Sequence, residues 1–261
     1  MTVRFAAGAG SIGIIVKTSD DAPEACRNCD AHVPPGQAYC GICGQKYVSD
    51  RLTLRQIGND LLHAVMHVDR SALSLVRLLL LRPGNVALEY VQGKRKRYFG
   101  PFSFLVVVVA AASALIALTG FRAVSSDSPN VVADFLQSHI NLLMFAEVPL
   151  LAVFSRVLNM RAPFNLAEHL VLAAYTSGMR VLFASLILIP FWFVFHPANA
   201  VMVAVASLLI WALYFGFASS QFFQGRRASS WCKGALTAVL SSATMESLIT
   251  LIAILFGRPD A

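Results

Sequence analysis

Residues 92–109 read QGKRKRYFGPFSFLVVVV. Four consecutive bases, Lys94, Arg95, Lys96 and Arg97, stand just before an aromatic pair, a Gly-Pro step and a long apolar run. The basic run alone would suit a nucleic-acid patch, a nuclear address or the margin of a membrane. The apolar run beyond it decides between them. From Phe102 to Phe121 there is no charged residue, and about 20 helical residues suffice to cross a hydrocarbon core. Pro101 can open that helix, because its missing N–H lies among groups that have no intrahelical partner anyway. Tyr98 and Phe99 suit the headgroup zone. The four bases therefore read as an orienting and anchoring segment on an anionic leaflet, where each contributes about 1 kcal/mol.

Composition agrees. The 261 residues are 57% hydrophobic and 13% charged, with mean hydropathy +0.64; a soluble domain is roughly a quarter charged. There are four further apolar windows: roughly His139 to Leu158, a long one within Phe164 to Phe195, then Ala200 to Phe222 and Gly234 to Phe256. Lys and Arg mark the cytoplasmic side of such helices. Arg156 and Arg161 come after the second window, and Arg226, Arg227 and Lys233 after the fourth. The other side holds only Arg122 and Arg258. Five spans, a cytoplasmic N-terminus and an external C-terminus are expected, in a bacterial cytoplasmic (inner) membrane. Residues 1–25 read as a disordered leader rather than a cleaved signal peptide, since the run holds three glycines and no leucine.

Residues 26–46 read CRNCDAHVPPGQAYCGICGQK. Two C-x2-C knuckles, Cys26/Cys29 and Cys40/Cys43, can close a tetrahedral four-thiolate site around one structural Zn²⁺. Such an ion replaces a core that so short a segment cannot build. Few bases and no aromatic cluster accompany the cysteines, so nucleic acid is disfavoured as a partner.

Between the cysteines and the first span, Leu54, Ile57, Leu61, Val65 and Val68 recur at helical spacing. Asp69 can cap a second helix, Arg70 to Leu81, which stops at Pro83-Gly84. The two helices are expected on the membrane surface or against the bundle. The fold class is thus mainly α: a polytopic helical membrane protein with about five transmembrane helices, N-terminal amphipathic helices and a small zinc ribbon. Its regions are the leader (1–25), the ribbon (26–47), cytoplasmic or interfacial helices (48–99) and a five-span domain (100–258).

The segments CRNC, YCGICGQK, RLTLRQIGNDLLHAVMHVDRSALSLVRLLLLRPGNVALEYVQGKRKRYFGP and NLAEHLVLAAY resemble a family of bacterial membrane proteins catalogued as domain of unknown function 3667. The likeness covers roughly residues 26–175. It implies a zinc ribbon followed by a helical membrane domain, and no established activity. The five-span layout is also similar to that of Yip-type trafficking proteins, at the level of fold alone. One departure stands out: the first knuckle has no glycine after its second cysteine.

Two polar constellations remain. His63 and His67 share a face of the first amphipathic helix with Asp60 one turn before His63, and Asp69 could complete the set: a candidate second metal or active site, or simply a polar face. Glu147, Arg180 and Glu246 lie inside predicted spans. An unpaired charge there costs about 2.5–3.5 kcal/mol on insertion scales, so the three are expected to meet inside the bundle. Glu168 and His169 are placed near the cytoplasmic interface. No nucleophile elbow, P-loop or dinucleotide fingerprint occurs, and no catalytic residue is assigned. The leading function is a non-enzymatic adaptor or scaffold. Its ribbon and basic helices would bind a cytoplasmic protein partner or anionic lipid of the bilayer. The alternative is a small transporter or membrane enzyme using the Glu147/Arg180/Glu246 cluster.

Overall fold

The computed structural model describes residues 25–34, 37–46, 52–54, 71–121, 131–195, 200–224 and 227–256. Among them the helices are α1 (Ser71–Leu81), α2 (Pro83–Val91), α3 (Pro101–Thr119), α4 (Val131–Leu158), α5 (Leu166–Phe183), α6 (Ile189–Phe195), α7 (Ala200–Phe222) and α8 (Arg227–Phe256). A π-helical segment, Ala184–Leu188, joins α5 to α6 without a break. The architecture is the mainly α polytopic one expected.

Four helical stretches are long and apolar enough to cross a membrane: Pro101–Thr119, Leu166–Phe195, Val201–Phe222 and Arg227–Ile252. Each buries only about a third or less of its apolar window inside the protein. In water that exposure would be a severe liability, whereas lipid is an equivalent apolar solvent. The remaining long helix, α4, covers the sequence in which a further crossing is expected. It has 28 residues, hence a length of about 42 Å, and packs on α5 and α8.

Helix α5 is the central post. It touches α1, α2, α3, α4 and α7, and Val171 to Met179 are all buried. Asn165 and Glu168 start it with a reciprocal capping box: the Glu168 N–H donates to Asn165 Oδ1 at 2.9 Å, and the Asn165 N–H donates to Glu168 Oε2 at 2.7 Å. Glu168, expected at the start of this helix, is a buried cap there. Along α3 the buried residues Phe104, Leu105, Val108, Val109 and Ala112 form one stripe, and the Phe104 ring fills the space that a side chain at Gly178 would occupy. Helices α7 and α8 pair through small residues: a Cβ on Gly234 would lie 3.0 Å from the Gly216 Cα, the close approach that small-xxx-small faces allow.

The Pro83-Gly84 step ends one helix, as expected, and also begins another. Proline excludes the α region for the residue before it, and Arg82 has φ −148° and ψ 56°. Gly84 then lies against α7, where a Cβ would come within 2.0 Å of the Ala218 carbonyl oxygen. Its N–H donates to Gln221 Oε1 at 3.0 Å, and Tyr214 Oη donates to the Leu79 carbonyl at 2.9 Å. Backbone groups left over at the α1–α2 junction are thereby satisfied by α7. Helix α2 buries Val86, Ala87, Leu88 and Tyr90 between α5 and α7. It is therefore part of the bundle rather than a surface helix. The helix expected to start near Leu54 lies outside the described residues beyond Leu54 itself, as does the leader.

Candidate metal centre and the polar groups around it

The two knuckles repeat one backbone pattern. The Cys26 N–H donates to the Ala31 carbonyl and the Asp30 N–H to the Cys26 carbonyl, each at 2.8 Å. Fourteen residues later the Cys40 N–H donates to Gln45 and the Gly44 N–H to Cys40, again at 2.8 Å. Antiparallel bridges close both turns, Ala25 with His32 and Tyr39 with Lys46. The turn needs a left-handed residue after its second cysteine. Gly44 supplies it with φ 68°, and Asp30 supplies it with φ 57°. The missing glycine thus leaves the geometry intact, since aspartate is among the few residues that tolerate this region.

The four sulfurs lie within 4.8 Å of one another. Cys26 Sγ and Cys43 Sγ are 3.6 Å apart, and Cys29 Sγ and Cys40 Sγ 3.7 Å. A disulfide would bring sulfurs to about 2.05 Å. The edges of a tetrahedron with metal–sulfur bonds of about 2.3 Å are about 3.8 Å, which these separations fit. The electrostatics fit too. Backbone N–H groups of Cys43 and Ile42 aim at the Cys40 sulfur and lower its pKa to about 6. The Gln45 N–H, first among several donors, lowers that of Cys43. At Cys29 the Ala31 N–H is the largest single influence and acts downwards. Burial and the facing sulfurs of Cys43, Cys40 and Cys26 together outweigh it and push the thiol up to about 12. Four thiolates so close cannot all ionise without a cation among them, and a metal ion held by Cys26, Cys29, Cys40 and Cys43 would supply that cation. Among the described residues this is the one such cluster. Asp60, His63, His67 and Asp69 lie outside the described residues.

The second knuckle is bound to the basic turn. Gln45 Nε2 donates to the Gly93 carbonyl at 2.6 Å, and Gln45 Oε1 accepts from the N–H groups of Arg95 at 3.2 Å and Lys96 at 3.1 Å. Gly93 ends α2 in a Schellman arrangement: its N–H reaches the Tyr90 carbonyl, and the Lys94 N–H reaches the Glu89 carbonyl. With φ 112° and the Arg27 side chain 2.9 Å from where its Cβ would be, the position requires glycine. On α2, Glu89 Oε2 accepts from Tyr98 Oη at 2.7 Å. Burial first, then this bond and the Glu89 charge, push the Tyr98 phenol up to about 12.

Of the three predicted intramembrane charges, the structure brings two together. Arg180 on α5 donates to Glu147 on α4. Ser242 of α8 lies 3.4 Å from Glu147, and the Arg180 guanidinium stands 5.0 Å from the Trp211 ring centre. Glu246, one turn beyond Ser242, is exposed and has no ion-pair partner among the described residues. Sequence reasoning did not find a second polar link: Ser155 Oγ and His169 Nδ1 are 2.8 Å apart between α4 and α5, both fully enclosed. His169 Nε2, packed near Phe222 and Phe223, has no partner among the described residues.

The fold and the site together define a class: a polytopic helical protein with a four-cysteine cluster docked at the head of a membrane-length helix. A family model described as "Protein of unknown function (DUF3667)" matches residues 75–112, from within α1 through the basic turn into α3. No curated protein and no solved structure matches the chain.

Proposed function

We propose that this chain is a non-enzymatic adaptor or scaffold of the bacterial cytoplasmic membrane. Its Zn²⁺-loaded ribbon and basic turn bind a cytoplasmic protein or anionic lipid. The observation that carries this reading is the Gln45 joint, which fastens a metal knuckle to the bases at the start of α3. A ribbon fixed there is presented to the cytoplasm at a defined height above the headgroups. Zinc is the favoured ion because four closely set thiolates offer a soft, closed tetrahedral site with no open position for catalysis. The bases support the orientation. Asn165 Nδ2 donates to the Leu52 carbonyl and Gly84 pairs with Gln221. The start of α5, the end of α7 and the ribbon side of the chain therefore share one end of the bundle, where Lys/Arg are expected to stay inside. Under this reading α4 is the second of five crossings and the C-terminus lies outside.

The second reading, a transporter or membrane enzyme, draws on the Glu147–Arg180 pair. Counting about 1.5 Å per residue from the helix ends places both residues about 15–22 Å into the bundle. Complementation of a chromosomal deletion separates the two. Under the adaptor reading, full-length Cys40→Ser/Cys43→Ser loses function, and Glu147→Gln/Arg180→Gln, if it accumulates normally, keeps it. The reverse pattern would select the second reading.

A further inference from the structure

Glu89 stands among three cations and bonds closely to none of them. Arg82 Nη1 is 3.8 Å from Glu89 Oε1, while Arg97 Nη1 and Lys94 Nζ are 3.7 and 3.9 Å from Oε2. Charge-assisted hydrogen bonds are about 2.7–2.9 Å long, so these cations stand off. The close position on the carboxylate belongs to the Tyr98 hydroxyl. No other carboxylate among the described residues pairs with the three cations. Three positive charges against one negative leave a local excess of two. The side chains are 36% exposed at Arg82 and Lys94 and 54% at Arg97, so all three remain partly open to solvent. Arg95, in the same turn, has a buried Nε with no acceptor among the described residues.

Clustered cations on a loose loop would relax apart. Here the Schellman turn at Gly93 and the three Gln45 hydrogen bonds hold the backbone that carries them. Lys94 and Arg97 precede Pro101 by seven and four residues, and in the proposed topology the cluster lies at the level of lipid headgroups. We infer that Arg82, Lys94 and Arg97, gathered round Glu89, form a receptor for a dianionic phosphate monoester. A monoester carries about −1.5 to −2 charge at neutral pH, which matches the local excess, whereas a phosphodiester carries one charge and leaves half of it. The phosphate can come from a monoester lipid headgroup or from a soluble phosphate. The inference rests on the reading of the basic turn as a headgroup-level segment.

The test uses the full chain, metal retained, in phosphatidylcholine nanodiscs. Calorimetry compares dioctanoyl phosphatidic acid, dioctanoyl phosphatidylglycerol and inorganic phosphate. Phosphatidic acid should saturate at one per chain, and Lys94→Gln and Arg97→Gln should each weaken it about tenfold or more, the effect of losing a bond to a charged group. Lys96→Gln, whose ammonium does not face Glu89, should cost no more than the roughly fivefold expected of a base in a diffuse field. Glu89→Gln removes the competing carboxylate and should tighten binding, a gain that misfolding cannot imitate. Competition by inorganic phosphate with the same residue dependence would assign a soluble source, and failure to compete a lipid one; both uphold the site. Three results overturn it: no saturable binding, equal affinity for phosphatidylglycerol with equal losses in all three basic variants, or weaker binding in Glu89→Gln. A reporter fused after residue 97 that lies outside the cell would sink the topology while leaving the nanodisc result standing.

Discussion

Gln45 holds Gly93 across 48 residues of chain: its amide donates to the Gly93 carbonyl at 2.6 Å, and its oxygen accepts from the N–H groups of Arg95 and Lys96. One side chain thus ties the cysteine cluster to the turn that leads into α3. Gln45→Ala should release the turn while leaving the metal in place. Amide exchange at Lys96 should accelerate by about tenfold or more, the loss of roughly one to two net hydrogen bonds, and that at Arg95, whose N–H also donates to the Gly93 carbonyl at 2.9 Å, should accelerate less. Metal content should remain one per chain. Unchanged protection at those two amides would show that the clamp does not operate in solution.

Asp30 and Gly44 occupy equivalent turn positions with φ 57° and 68°. An L-residue in this region is strained by about 1 kcal/mol, a cost that glycine avoids. Asp30→Gly should therefore slow chelator-driven loss of the metal, whereas Asp30→Val, β-branched, should hasten it. Asp30→Ala keeps the Cβ and should show no gain. A faster loss in Asp30→Gly than in the parent would mean that the carboxylate, rather than the backbone, matters at this position.

Much of this was legible locally. The C-x2-C pairs, the glycine that ends α2 and the proline that opens α3 each act within a few residues, so their geometry follows from residue type. The contacts that were not legible join distant segments. Gln45 looks like any polar residue in a knuckle, and nothing near it names Gly93 as its partner. Pro83-Gly84 shows a break, but only the α7 backbone at Ala218 shows why glycine is needed there. Ser155 and His169 read as ordinary polar residues until two helices bring them together. Glu246 shares a helix face with Ser242 by spacing, yet the pairing of Arg180 goes to Glu147 alone, because which faces of three helices converge is a property of packing and not of periodicity.

Gly84 offers a sharp test of how tightly α2 is docked. Its missing side chain leaves room for the Ala218 carbonyl, Gln221 Cβ and Phe222 N within 2.0–2.7 Å of the would-be Cβ. Two of these are backbone atoms and cannot swing aside. Gly84→Ala should lower stability by about 3 kcal/mol, the upper range for overpacking, seen as a fall in thermal midpoint or in membrane yield. Gly41→Ala, with nothing within 4 Å, should stay within about 0.5 kcal/mol of the parent. Equal behaviour of the two variants would contradict the docking of α2 on α7.

Tyr98 carries a pH signature. Its phenol is pushed up to about 12 by burial first and then by Glu89. The neutral phenol is therefore the form the fold favours. This contribution to stability is fully present below the ordinary value near 10 and is lost as pH rises through about 12. The difference between parent and Tyr98→Phe in phenolate absorbance should titrate near that upper value. In Glu89→Gln the midpoint should fall, yet stay above 10 because burial remains. A midpoint at 10 in the parent would place Tyr98 in water.

Arg180 and Glu147 lie deep in the bundle with side chains 35% and 15% exposed within the protein. Neutralising one leaves the other unpaired, at a cost of about 2.5–3.5 kcal/mol on insertion scales. Arg180→Gln and Glu147→Gln should each reduce the amount of protein in the membrane, and the double variant should recover most of it, since no net charge is then stranded. Glu246→Gln should not lower that amount and should raise it if anything, because Glu246 is exposed and outside the pair, and an unpaired charge within a span is itself costly. Quantitative blotting of membrane fractions reads all four. Full recovery of protein without recovery of function in the double variant would assign the pair to transport or chemistry. Recovery of both would make it a packing device that fixes how α4 meets α5.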